Sequence, residues 1–261
     1  LLFLLVPVLG VLTFVVAPHF NNHWFPRDIS EHGPVIDRLF MFILWLTGII
    51  FVATEVVLFY YMWKYDGRKN REPVKFSHGS HTLEVTWTIL PAVTLLFIAI
   101  YQMNAWADAK MRRPDLGTLP DGTPVVTAEI TGRQFNWDVR YPGDDLQLHT
   151  DDDIIRTDGD IHLPAGQEVL LLINSADVLH SFFLPNLRMK QDVVPGMAQY
   201  MWFKARETGE FDIVCAELCG WGHYKMKGRA TFETPAEFQA WLNLKEEEQR
   251  ARRPTVVASG E

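Results

Sequence analysis

The chain has 261 residues, with 24 Lys plus Arg against 32 Asp plus Glu, and a formal net charge of −8. At 48% apolar and 13% aromatic it is too hydrophobic for a disordered chain, and its acidic balance argues against a nucleic-acid binder, which needs clustered Lys and Arg. The charge is unevenly spread: residues 1–106 hold seven acidic and seven basic side chains, and residues 107–261 hold 25 and 17. An apolar membrane anchor followed by an acidic domain is the organisation this predicts.

Residues 1–17 form an apolar run containing Pro7 and Gly10. It reads as an extra N-terminal membrane helix within segment 1–20, with a retained signal remnant as the alternative. Residues 39–63 carry one charge, Glu55, and residues 85–107 carry none. Each run exceeds the length needed to cross a hydrocarbon core of about 30 Å, so a transmembrane hairpin is expected over 37–107, with Pro91 tolerated inside its second helix. The connection 64–81 holds Lys64, Arg68, Lys69, Arg71 and Lys75, whereas 18–38 holds Arg27 and Arg38. The basic excess puts 64–81 on the cytoplasmic side and the large domain outside.

From about residue 120 the texture changes to short strands with Gly and Pro turns. Strands are predicted at 125–130, 135–141, 169–173, 200–205, 210–214 and 228–232, with a turn at Tyr141-Pro142-Gly143-Asp144. The pattern predicts a β-sandwich or barrel over 120–233. Thr234 followed by Pro235 marks a helix start running towards Arg250, with a loose tail after Pro254, so 234–261 is a C-terminal helix and tail.

The chemistry-bearing stretch is Cys215-Ala-Glu-Leu-Cys219-Gly-Trp-Gly-His223-Tyr-Lys-Met226, with His180 placed 35 residues before Cys215. Thiolate, imidazole and thioether are the ligands that copper selects. Two thiolates on one loop can bridge two ions, each completed by one imidazole, His180 or His223. Weak axial positions are left for the Met226 sulfur and the Glu217 backbone carbonyl. The competing explanations are a loop disulfide and a tetrahedral zinc site, which would leave Met226 unused. Two cysteines are too few for a disulfide scaffold, and no Cys-x-x-Cys-His haem attachment site is present.

Together with Glu84-Val-Thr-Trp87-Thr-Ile-Leu-Pro91, Asp177-Val-Leu-His180-Ser181 and Lys190-Gln-Asp192-Val-Val-Pro195-Gly196, this loop strongly resembles cytochrome c oxidase subunit II. The resemblance runs from about 37 to about 232. It implies a membrane-anchored cupredoxin domain with the dinuclear copper centre CuA, which takes electrons from cytochrome c and passes them to haem in subunit I. There O2 is reduced to water, coupled to proton translocation. The partners implied are subunit I, the other oxidase subunits, a soluble or membrane-tethered cytochrome c and the bilayer, in a bacterial inner membrane with the copper domain on the periplasmic side. It further implies that the Glu217 side chain helps bind magnesium shared with subunit I, and that Glu84 lies at the cytoplasmic mouth of a proton pathway. A snorkelling helix-end charge is the competing explanation for Glu84.

One segment departs from the family. Where the family often has Gln-Trp-x-Trp, this chain has Gln134-Phe135-Asn136-Trp137, so Phe135 takes the position of the tryptophan through which electrons enter. Trp137, Tyr141 and Trp221 are alternative aromatic routes, with core packing as the competing explanation. Asp177 and Asp192, near the copper motif, are the candidate docking residues for a basic donor. The acidic run Asp144, Asp145, Asp151, Asp152, Asp153, Asp158 and Asp160 reads as a second candidate, a solvated loop or a calcium site. Quinol oxidase subunits share the architecture but lack the copper ligands. Nitrous oxide reductase shares the copper motif but needs a large further domain.

Overall fold

The computed structural model describes residues 2–16, 25–68, 73, 76 and 78–252. Lys69, Arg71 and Lys75 of the basic connection, the ends of the 1–20 segment, and the tail after Pro254 lie outside the described residues.

The chain divides into two units. The first is helical: α1 (Leu2–Val16), α2 (Gly33–Lys64) and α3 (His81–Lys110). The 32 and 30 residues of α2 and α3 reach about 48 and 45 Å at 1.5 Å per residue, enough to cross a bilayer. Their apolar side chains are exposed along the whole length, Trp45, Ile49, Leu90 and Leu95 among them. A long helix that leaves its apolar surface unburied by its own chain has lipid as its natural solvent. Phe42 lies 5.7 Å from Tyr101, ring to ring, so the start of α2 meets the end of α3 and the two run antiparallel. Thr47 and Thr94 donate their hydroxyls to carbonyls one turn back, which satisfies polar groups that lipid cannot. Phe14 of α1 packs edge-on against Trp45 at 4.9 Å.

The second unit is a β-sandwich. One sheet runs β3 (Ile154–Arg156), β2 (Asn136–Tyr141), β1 (Ala128–Arg133), β5 (Glu168–Ser175), β8 (Gln199–Lys204). The other runs β4 (Ile161–Pro164), β10 (Lys227–Glu233), β9 (Gly209–Cys215), β6 (His180–Leu184), β7 (Met189–Val193). In β2, Trp137, Val139 and Tyr141 are buried while Asn136, Asp138 and Arg140 are half-exposed, the period-2 alternation of a sheet with one buried face. Ile130, Val139, Leu171 and Phe203 of the first sheet share one core with Leu163, Phe182, Ile213 and Phe232 of the second.

The six anticipated strands are present with shifted ends; β1 begins at Ala128 rather than 125. Four strands, β3, β4, β6 and β7, were not anticipated. Segment 27–34 also belongs to this unit: Ser30 bridges Ala205, and Ile29 and Ser30 are fully buried. The helix α4 (Pro235–Arg252) opens with a reciprocal cap, in which Thr234 N–H donates to Glu237 and Glu237 N–H to Thr234 Oγ1. Its Trp241 stacks on His162 at 4.1 Å and meets Tyr141 edge-on at 5.2 Å. Tyr141 is therefore core beneath α4, and its hydroxyl accepts the His162 N–H.

Candidate metal centre

β6 and β9 are neighbours, with Phe182 opposite Cys215. Residues two apart on a strand share a face, so His180 projects towards the sulfur of Cys215, with 4.0 Å between Nδ1 and Sγ. After Cys215 the chain leaves the sheet, and Gly220 takes a positive φ of 130° that favours glycine. A 3-10 turn at His223–Lys225 then returns it, and Cys215 N–H donates to the Met226 carbonyl. This closed loop gathers the donors. The two sulfurs lie 3.9 Å apart, Cys219 Sγ lies 3.7 Å from both His223 Nδ1 and Met226 Sδ, and the Glu217 carbonyl lies 3.2 Å from Cys215 Sγ. His180, Cys215, Cys219 and Met226 are all buried.

His180 is held from behind. Its Nε2 lies 2.8 Å from Asp177 Oδ1, which leaves Nδ1 to face the sulfurs. Asp177 in turn accepts the backbone N–H groups of Gln134 and Val178. Partial burial pushes the Asp177 carboxyl up, but these hydrogen bonds outweigh it and hold the group below its usual range. Gln134 ties the same network to the loop, its Nε2 donating to the Cys219 carbonyl at 2.6 Å. A carboxylate behind an imidazole fixes the ring and its basicity, as in established metal sites.

The donor set fits a soft metal. A disulfide needs sulfurs about 2.05 Å apart, and both cysteines are free thiols here. Two sulfurs 3.9 Å apart can each stand about 2.3 Å from a shared ion. The ligand atoms of His180, Cys215 and Cys219 lie within 4.8 Å of one another, the one such group among the described residues. His223 contacts Cys219 but falls outside that triplet, so the two imidazoles do not converge on one tetrahedral point as zinc requires. Burial, and then the charge of Cys215, push the Cys219 thiol up to about 11, so metal binding must displace its proton.

Two family models match the chain: the cytochrome c oxidase subunit II transmembrane domain over residues 22–105 and its periplasmic domain over 126–229. The alternative cytochrome c oxidase subunit 2 of Bradyrhizobium diazoefficiens is 30% identical over 264 residues, covering 93% of this chain and 90% of that one. The chain belongs to the cytochrome c oxidase subunit II family. Cytochrome c oxidase subunit 2 of Thermostichus vulcanus is 27% identical over 90% of this chain and 81% of its own. The crystal structure of the periplasmic domain of subunit II of Bradyrhizobium japonicum is 28% identical, covers 47% of this chain and 94% of that one, and has a TM-score of 0.41. As a member of this family the chain is a membrane-anchored subunit of an oxidoreductase complex, and the family implies a CuA copper centre for which the His and Cys cluster provides the donors.

Phe135 is half-buried on the β1–β2 turn, and its ring lies over the Gly220–Gly222 backbone: a Cβ on Gly222 would come within 2.4 Å of it. Trp137, in contrast, is fully buried, with its ring 6.0 Å from His180 and its Nε1 without a partner. A side chain with no surface makes no direct contact with a donor protein, so any part it has in electron entry would be behind the surface. Asp177 is occupied in orienting His180, a role its spacing three residues ahead of the ligand could have signalled. Asp192 is exposed and accepts the Ser181 hydroxyl. Glu84 lies in the first turn of α3, its N–H bonded to the Ser80 carbonyl. The acidic run does not converge on an ion site among the described residues. Asp153 is buried against Arg140, Asp158 pairs with Arg156, and Asp160 accepts the Arg229 N–H. Gln134 is the site residue that the sequence reading missed.

Proposed function

We infer that this chain takes electrons singly from a c-type cytochrome and passes them to a haem in subunit I of a respiratory oxidase, where O2 becomes water with proton translocation. The observation that carries this is the pair of thiols 3.9 Å apart, each approached by its own imidazole, His180 at Cys215 and His223 at Cys219. A dinuclear CuA centre, when bound, supplies one-electron chemistry shared between two coppers. Cys215, Cys219, His180 and His223 would hold the coppers, with the Met226 sulfur and the Glu217 carbonyl as further donors beside them. The chain's own contribution is rigidity and dryness. Ligands on neighbouring strands and on a loop pinned by Gln134, with His180, Cys215, Cys219 and Met226 buried, cannot relax far when the charge changes.

Several finer assignments belong to the same reading. The Glu217 carbonyl faces the sulfurs, and its half-buried carboxylate, a hard oxygen donor, suits magnesium shared with subunit I. Glu84, at one end of a helix whose apolar run is otherwise uncharged, suits the mouth of a proton pathway. Phe135 suits the place where electrons enter, and Asp192 a docking surface for a basic donor. The periplasmic description of the matched domain and the basic residues Lys64 and Arg68 at and after the end of α2 support a bacterial inner membrane with the β-domain outside. The deciding experiment measures metal content and the electron paramagnetic resonance spectrum of the purified complex. The spectrum should show one unpaired electron shared by two coppers, and Cys215→Ser or Cys219→Ser should abolish both that signal and turnover. Full turnover with no copper in this domain would overturn the reading.

A further inference from the structure

We propose that Trp221 is the outer ring through which the donor's electron arrives, with Phe135 as the inner ring behind it; this rests on the reading of the loop as an electron-accepting metal centre. Trp221 stands between two ligands, two residues after Cys219 and two before His223. It is 76% exposed, whereas Trp137 is 0% exposed and Tyr141 1%. Its ring meets Phe135 edge to face, with centroids 5.1 Å apart at 70°. Phe135 in turn lies on the loop backbone: Cβ atoms on Gly220 and Gly222 would come within 3.3 and 2.4 Å of its ring. Surface, Trp221, Phe135 and loop backbone are therefore in unbroken contact down to Cys219, whose carbonyl is bonded to Gln134, the neighbour of Phe135. The two glycines are what allow the approach, since any side chain at Gly222 would displace the ring.

The surroundings of Trp221 select the occupant. An exposed tryptophan costs solubility unless something covers it, and buried aromatic anchors dominate protein interfaces. The partner that makes use of a ring two residues from two metal ligands is a small electron carrier with an exposed cofactor edge. Lys225 places its ammonium 4.4 Å from the ring centroid. That cation–π contact holds the ring in place, and the positive charge disfavours oxidising it. The electron therefore passes through the ring without residing on it. One electron leaves the donor haem iron, which goes from ferrous to ferric, and one is gained by the copper pair; no bond or proton changes hands.

The test uses the intact oxidase complex with a soluble basic cytochrome c. Trp221→Leu should lower the second-order rate of copper reduction about tenfold or more, as loss of a central tryptophan does at other interfaces. It should weaken binding of the redox-silent zinc-substituted cytochrome by a similar factor. Trp221→Phe should recover most of both, because it restores an aromatic ring. The copper resonance signal and the copper-to-haem rate serve as controls for folding and should not change. Unchanged binding and unchanged reduction in Trp221→Leu would overturn the proposal, as would slowed copper-to-haem transfer with a normal donor step, which would mean that the ring faces another subunit. A wild-type complex without copper in this domain would instead remove the underlying reading.

Discussion

His180 shows how much of this site depends on residues that are not ligands. Its Nδ1 faces Cys215 because its Nε2 is engaged by Asp177, and Asp177 is held by two backbone N–H groups. Asp177→Asn keeps the size but removes the charge and offers an amide that can turn the wrong way. Losing such a carboxylate behind a metal-binding imidazole costs roughly 10- to 100-fold in metal affinity. Copper should therefore be stripped from the Asp177→Asn variant at correspondingly lower chelator concentration, with the backbone fold intact by circular dichroism. Equal resistance to the chelator would show that the ring is held by packing against Trp137 and Gly132 alone. The same residue would have made a misleading docking probe, since its neutralisation alters the metal site itself.

At the scale of elements, β1 and β2 carry a buried ionic cluster on the face of the sheet turned away from the core. Glu129 and Arg140 are directly opposite in register, and Arg140 also reaches the buried Asp153 at 2.6 Å. Asn174 of β5 donates to Glu129, so three strands share the network. Arg140→Leu would leave two buried carboxylates without their cation, which costs about 3–5 kcal/mol and should lower the Tm by roughly 10 °C. The copper signal should survive, because the metal loop belongs to the other sheet. A Tm within about a degree of wild type would mean that water already compensates the pair. None of this cluster was legible in the sequence, where Glu129 and Asp153 are simply acidic residues 24 positions apart. The contrast with β2 is instructive: its Trp137, Val139 and Tyr141 alternate visibly, so the strand could be read. β7 could not, because Lys190, Gln191 and Asp192 occupy a polar edge strand, and β3 is only three residues long. The metal loop was legible because four of its five side-chain donors fall within twelve consecutive residues, Cys215 to Met226. The Gln134 bond to Cys219 and the Phe135–Trp221 contact were not, since 85 or more residues separate the partners.

Over the whole molecule, the proposed function would give charge two separate tasks, orientation in the membrane and attraction of a donor. The described basic residues at and after the end of α2, Lys64 and Arg68, predict that a Gly67→Cys variant is labelled by an impermeant reagent only from the cytoplasmic side, and Thr208→Cys only from outside. Cys215 and Cys219 give little background because both are buried; the reverse pattern would overturn the localisation. The second task follows from the 25 acidic against 17 basic residues after position 106. Part of that excess is absorbed internally, since Asp153, Asp158 and Asp160 are bound within the domain. What stays outside, Asp192 and the exposed Asp144 and Asp145 included, makes the domain a negative target. A basic cytochrome c should be steered to it mainly through its association rate. Screening beyond a Debye length of about 8 Å at physiological salt should then make the second-order rate of copper reduction fall as ionic strength rises. Asp192→Asn should flatten that dependence. Trp221→Leu should lower the rate at every ionic strength and leave the slope unchanged, because an apolar contact acts after steering is complete. Two parallel lines for wild type and Trp221→Leu, against a shallower one for Asp192→Asn, would separate attraction from contact. A wild-type rate indifferent to salt would instead point to a donor tethered to the complex, and the acidic surface would then have no part in capturing it.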